Sequence, residues 1–521
     1  MTVRRDGVSL LEALRDELGI RSPKDGCSPQ GQCGCCTVLV DGQPRVACVT
    51  AVRRVAGRRV TTADGLDPEV AGPLVAAFAA AGASQCGFCT PGILCRLAAL
   101  GPHPPQGTVE RALLAHLCRC TGWRSILDAA QAWEPGPPPD VPASSPSRRA
   151  TIEGKSPQIT GPAVVRGGGG FAGDAGPPDA LVAIPDGRGG WVVGETLAEA
   201  RAAARRPPAR RSGRPLTWPV EVPAGDWDLT LQTTWVEPAY VEPDSSWCEP
   251  GGPAASPVAN GGAFGGKQSS LAPAVAQELA GVHGRPVRVV YSREDVVLLG
   301  PKRPPVAIGL RSDGTGVLRA ARTPGLPAAV AAVAPGLVVE EVDVPGPATS
   351  VALRAAGWAE AAVALAAVAA VAVTGATGAP GARPSGEGRA TVRSPEGAEA
   401  QAAVWVDSAL RPSAVEVTVS CGDVLDAVVA RSYAVGAAHM ALGWVCSEAL
   451  AVGDDGRPED LTVRSWGILR AADTPPMDVR IEPSPAAPVN GSDAVFAAVA
   501  AATWMAQGLP PRWPTIRGAW R

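Results

Sequence analysis

Residues 26–48 read GCSPQGQCGCCTVLVDGQPRVAC. Taking Cys27, Cys33, Cys36 and Cys48 gives the spacing C-x5-C-x2-C-x11-C. Plant-type ferredoxins hold a [2Fe–2S] cluster on C-x4-C-x2-C and a distant fourth cysteine, so this loop is one residue longer. Four thiolates must converge on two irons there, and backbone amides must point at the sulfides. A tight loop carrying Gly26, Gly31 and Gly34 supplies both. A structural zinc site also takes four cysteines, usually as two C-x2-C knuckles far apart. The crowded loop running into Thr37-Val38-Leu39-Val40 favours iron–sulfur, with Cys35 a neighbouring thiol rather than a ligand. Working outward, strands are expected at Thr37–Val40 and Arg45–Thr50 around the turn Asp41-Gly42. Ser9–Leu18 is expected to be a helix with Leu10, Leu11, Leu14 and Leu18 on one face, Ser9 as N-cap and Glu12 three residues on.

A second group follows, Cys86-Gly-Phe-Cys89 and Cys118-Arg-Cys120. Residues 66–133 read as helical, with helices expected at Pro73–Ala81, Gly92–Leu100, Val109–His116 and Ser125–Trp133. Prolines stand at or just before the first two. Two cysteine pairs at helix ends can meet as one four-thiolate site, and helix N-termini favour the negative charge. Cys95 reads as a core residue.

These motifs together resemble the iron–sulfur portion of the xanthine oxidase family, which includes xanthine dehydrogenases, aldehyde oxidases and carbon monoxide dehydrogenases. The resemblance rests on Gly26 to Cys48, on Gln85-Cys86-Gly87-Phe88-Cys89-Thr90-Pro91-Gly92 and on Leu117-Cys118-Arg119-Cys120-Thr121-Gly122. It covers about residues 3–133. It implies a β-grasp ferredoxin-like domain at 1–65 and a four-helix domain at 66–133, each with one [2Fe–2S] cluster. Only Val3–Val8 stands where the family has a β-hairpin.

Glu134–Pro157, rich in Pro and Ser, reads as a linker. From about Thr160 the chain becomes mixed α/β, and the whole is expected to be an α+β multidomain protein. Gly261-Gly262-Ala263-Phe264-Gly265-Gly266-Lys267-Gln268 lacks the spacing of a phosphate-binding loop. In this order along the chain it resembles the family loop that lies against molybdenum and its pterin, which makes Gly262, Ala263, Phe264, Gly265 and Gly266 the cofactor-binding candidates. The resemblance divides the remainder into molybdopterin-binding-like regions at 158–330 and 331–521. No flavin domain lies between the halves, so electrons would leave to an external acceptor or a flavoprotein subunit.

The family implies hydroxylation of a small heterocycle or aldehyde by water at molybdenum, with a glutamate base near the C-terminus and electrons leaving singly through the clusters. Here Ser492 aligns with that glutamate and Asp493 follows it. Losing a positioned base typically removes about 10²–10⁴ in rate. The segment before the glycine loop and the later pterin-wrapping stretches are short or missing, so the pocket gives no substrate. Two readings follow, a reduced molybdenum hydroxylase, or an electron-transfer or scaffold protein with a degenerate molybdenum half.

The whole chain sets bounds. Among 521 residues 46% are hydrophobic, enough for several cores, and the net charge is −3, which excludes a general electrostatic case for nucleic acid or anionic membrane. Charges through Met1–Leu18 leave no apolar leader core, and Ala361–Val373 is too short and alanine-rich to span a bilayer. The expectation is a cytoplasmic protein, with a homodimer or partner subunit suggested by the resemblance. Ten of 13 cysteines lie between Cys27 and Cys120, which reads as metal ligation rather than disulfides. Cys248, Cys421 and Cys446 read as structural. His103, His116, His283 and His439 show no ligand spacing.

Overall fold

The structure is a computed structural model that describes residues 7–134, 159–204, 213–374 and 386–517. The expected linker, apart from Glu134, and the segment Val3–Asp6 lie outside the described residues.

The first helix starts at Ser9, whose hydroxyl accepts from the Glu12 amide (3.2 Å) while the Glu12 carboxylate accepts from the Ser9 amide (3.0 Å). Three strands follow, β1 (Thr37–Val40), β2 (Gln43–Val46) and β3 (Val60–Thr61), in the antiparallel order β2-β1-β3. The second strand was expected to run to Thr50. It ends at Val46, and Ala47–Val49 forms a 3₁₀ turn. That turn brings the Cys48 amide to the Cys36 sulfur at 3.4 Å, a contact a straight strand would not make.

Four helices build the next portion: α1 (Pro68–Ala80), α2 (Thr90–Ala98), α3 (Gln106–Ala112) and α4 (Arg124–Ala132). The first starts five residues earlier than expected. Pro68 holds the first position behind Asp67, whose carboxylate accepts from the Glu69 amide (3.0 Å), and Pro73 lies inside.

Among the described residues the larger portion has three four-stranded sheets. One joins β4 (Leu181–Pro185), β5 (Trp191–Gly194), β7 (Ser245–Cys248) and β8 (Val287–Val290) in the order β5-β4-β8-β7. A second joins β6 (Leu229–Gln232), β9 (Val306–Leu310), β10 (Gly316–Ala321) and β11 (Leu337–Val342) in the order β11-β10-β9-β6, so strand pairing runs across residue 330. The third is β12 (Glu387–Arg393), β13 (Glu399–Val406), β14 (Pro412–Ser420) and β15 (Met477–Glu482), in sequence order, with the last pair parallel.

The principal helices here are α5 (Ala272–His283), α6 (Trp358–Thr374), α7 (Ala427–Cys446) and α8 (Ser492–Ala506). Helix α8 is buried nearly throughout, lying on β12 and β13 with α6 and α7 against it. Its sequence is almost entirely small and apolar, which permits helix approach on all sides. No helix among the described residues is long and apolar enough to cross a membrane.

Candidate metal centres

The eight cysteines singled out by spacing fall into two buried groups. In the first, the Cys27 thiol contacts those of Cys33 and Cys48, and Cys48 also contacts Cys36. The amides of Gln30 and Gln32 donate to the Cys27 sulfur at 3.3 and 3.4 Å, as a loop built to stabilise a thiolate would. Contacts from the Cys33 and Cys48 thiols push Cys27 down to about 2, while Cys33 is pushed up by Cys27 and Cys35, and Cys48 by Cys27 and Cys36. Cys35 is fully buried, and its thiol donates to the Cys33 carbonyl at 3.6 Å. Burial raises it.

In the second group Cys120 and Cys86 approach to 3.6 Å between sulfurs, and Cys89 meets Cys118. Cys118, also 3.1 Å from the Thr121 hydroxyl, is lowered to about 7, chiefly by Cys89. Its partner Cys89 is raised by Cys118, and Cys120 by Cys86. Among the described residues no three His, Cys, Asp or Glu side chains are arranged to hold one metal ion. In the second group the thiols meet in pairs, and a binuclear cluster takes two thiolates on each iron.

The two groups are joined through backbone. The Leu117 amide, next to Cys118, donates to the Cys33 carbonyl at 2.9 Å. Helix α2 presses Gly92 onto the first loop, where an added Cβ would lie 2.3 Å from the Gly34 carbonyl oxygen. Gly92→Ala is therefore expected to force the loops apart and destabilise the protein by about 1–3 kcal/mol, measured by denaturant unfolding.

The larger portion grips the second group. The Gln85 side chain donates to the Cys120 carbonyl (2.9 Å) and to the Ser432 carbonyl (3.0 Å) on α7. Asn260 donates to the Cys86 carbonyl (3.4 Å), and Gly436 of α7 sits on the Cys120 carbonyl. Arg119, between two of the cysteines, makes a bidentate buried pair with Glu448 at 2.5 and 2.6 Å. Sequence reasoning quoted Arg119 within a motif but gave it no role, and did not name Asn260. The available signals were an arginine between two cysteines and an amide directly before the glycine run.

The glycine loop lies against the second thiol group. An added Cβ on Gly262 would meet the Cys120 sulfur at 3.1 Å, one on Gly265 would strike the Ala352 carbonyl oxygen, and one on Gly266 would lie 2.6 Å from the Tyr240 ring. Its close approaches are thus to protein. Phe264 lies under the Arg354 guanidinium at 5.0 Å, and both line a cavity of about 30 Å³ with Arg119, Arg303, Trp444 and Glu448. Arg303 Nη2 and Arg354 Nη1 are buried there without a hydrogen-bond partner, which suits ordered water. Pockets for ligands of cofactor size run to about 300–1,000 Å³. This cavity is too small for a pterin.

Ser492, the first residue of α8, is not at that cavity. Its hydroxyl donates to the Asn490 side chain at 2.7 Å, beside Cys421 and Tyr433. The adjacent Asp493 reaches Arg354 at 3.6 Å.

Comparison with known proteins gives the following. A family model described as "[2Fe-2S] binding domain" matches residues 62–131. A probable xanthine dehydrogenase component of Bacillus subtilis is 38% identical over 124 residues, 23% of this chain and 71% of that one. An aldehyde oxidoreductase of Megalodesulfovibrio gigas is 41% identical over 127 residues, again 23% of this chain but 14% of the relative's length. Among solved structures, aldehyde oxidoreductase from Desulfovibrio gigas superposes with a TM-score of 0.70 at 16% identity, over 98% of this chain and 97% of that one. That likeness shows a shared multidomain α+β fold.

Proposed function

Because this chain belongs to the xanthine oxidase family of molybdenum hydroxylases, we propose that it is an oxidoreductase that relays single electrons through two [2Fe–2S] clusters to an external acceptor. Cys27, Cys33, Cys36 and Cys48 hold the first cluster, and Cys86, Cys89, Cys118 and Cys120 the second. Bound there, the clusters supply reversible one-electron storage. The chain's own groups shield them from water, neutralise them with amides and Arg119, and connect them. The observation that carries this reading is the hydrogen bond from the Leu117 amide to the Cys33 carbonyl, which joins one thiol group to the other.

The larger portion acts in this reading as a scaffold for the second cluster. Its small cavity, and a serine in place of the family's glutamate, support that. Metal analysis of the purified full chain is expected to find about four irons, from two [2Fe–2S] clusters, and no molybdenum. One molybdenum per chain would restore the hydroxylase reading, in which Phe264 and the glycine loop face the metal and a heterocycle or aldehyde is the substrate.

A further inference from the structure

A cavity of about 250 Å³ lies where the iron–sulfur portion meets the larger one, and it shares no lining residue with the cavity beside Phe264. The iron–sulfur portion lines it with Leu114 and Leu117, and the larger portion with Ile468 and Leu469. Arg464, Arg470 and Arg517 complete the wall, against one carboxylate in the lining among the described residues, Asp473.

Two of these arginines have acidic partners. Arg470 holds Asp473 through two bonds of 2.6 and 2.9 Å, and Arg517 reaches Asp460 at 3.5 Å. Arg464 differs. It donates to the Leu114 carbonyl at 3.4 Å, and among the described residues no carboxylate pairs with it. Nor does the neighbouring His116 balance or add charge, since burial and Arg96 lower it to about 3 and leave the ring neutral. The apolar part of the wall runs inward from the same point. Leu114 is 39% exposed at the mouth beside Arg464, while Leu117 and Leu469 are buried.

A guanidinium next to an apolar wall is suited to an organic acid. The planar fork takes a carboxylate through two parallel bonds, and the wall takes the hydrocarbon body. An inorganic anion would leave the leucines facing water, and a neutral ring would leave Arg464 without its counter-charge. The volume lies just below the range of about 300–1,000 Å³ that holds drug-sized ligands, which sets the body at about one ring.

We propose that this cavity binds a small organic carboxylate, with its head on Arg464 and its ring against Leu117, Ile468 and Leu469. The proposal stands apart from the electron relay, because none of these side chains holds a cluster. Both portions supply the wall, so an occupant binds the assembled chain and stabilises it by mass action.

The test is calorimetric titration of the full chain with benzoate, with its neutral counterpart benzamide and with inorganic phosphate. One benzoate per chain is expected, with benzamide and phosphate each bound at least about tenfold more weakly. Arg464→Gln, a change at an exposed side chain, should weaken benzoate about tenfold and leave benzamide as it was. Ile468→Trp, which fills the wall, should abolish both. Benzoate should also raise the denaturant midpoint of the wild-type chain and not that of Arg464→Gln. Equal benzoate affinity in wild type and Arg464→Gln would overturn the proposal. Phosphate bound as tightly as benzoate would overturn it too, by showing a site for simple anions, as would the absence of any heat with millimolar benzoate. If Ile468→Trp does not fold, the three ligands on the wild-type chain and Arg464→Gln decide the matter without it.

Discussion

Cys120→Ala is expected to remove one of two [2Fe–2S] signals from the electron paramagnetic resonance spectrum of the reduced chain. Iron should fall from about four to about two per chain, because a binuclear cluster does not survive with three thiolates in a buried site. The effect should be that large because nothing nearby can substitute. Cys120 sits against Cys86 at 3.6 Å, its carbonyl is held by Gln85, and the backbone of α7 lies on it through Gly436. Cys35, the spare thiol, belongs to the other loop and is fixed by its bond to the Cys33 carbonyl. Cys35→Ala is the natural comparison and should keep both signals. Retention of both signals by the Cys120 variant would exclude it as a ligand.

Glu448→Ala should be among the most damaging single changes outside the cysteines. Both side chains of the Arg119–Glu448 pair are 2% exposed. Removing the carboxylate leaves a buried guanidinium whose remaining contact is the Pro238 carbonyl at 3.2 Å. Breaking one side of a buried pair typically costs about 3–5 kcal/mol. The expected result is that loss, measured by denaturant unfolding followed through cluster absorption. The unbalanced charge beside Cys118 and Cys120 should also raise the second cluster's reduction potential. Replacing both partners with apolar residues, Arg119→Met with Glu448→Leu, should recover much of the stability, since no charge is left stranded. A single variant as stable as wild type would show that the pair is not holding the second group to the segment that follows α7.

The different reach of these interactions explains what was legible in the sequence. Cysteine spacing is local, so Cys27 to Cys48 and Cys86 to Cys120 could be grouped by inspection, and the order of motifs pointed to the α+β architecture that the solved aldehyde oxidoreductase shares. The first sheet shows the limit of local reading. Arg45–Thr50 has strand-like alternation, but Cys48 has to turn back toward Cys36, and that tertiary demand overrides the pattern. Arg119 and Glu448 lie 329 residues apart, and no spacing rule connects them. The glycine loop was placed by its motif, but its neighbours were not. That Gly265 packs on the Ala352 carbonyl, and that the adjoining cavity is about 30 Å³, depends on side chains from α7 and α8 closing over it. Ser492 was placed by its alignment with the family's glutamate, while the carboxylate that reaches Arg354 belongs to its neighbour Asp493.

The grip between the iron–sulfur portion and the rest has a consequence for how the chain is held together. Lys24 and Arg15 both pair with Asp174, Arg293 donates to the Gly26 carbonyl, Trp123 donates to the Leu469 carbonyl, and Arg119 pairs with Glu448. These contacts are spread over both thiol groups and join sequence segments more than a hundred residues apart. Covalent continuity between Glu134 and Ile159 adds effective concentration to an association that already has its own contact surface. Energetically the two portions are held by that surface as well as by the chain that joins them. The entropic cost of a longer connection grows only as the logarithm of its length, so insertions between Glu134 and Ile159 should be tolerated best.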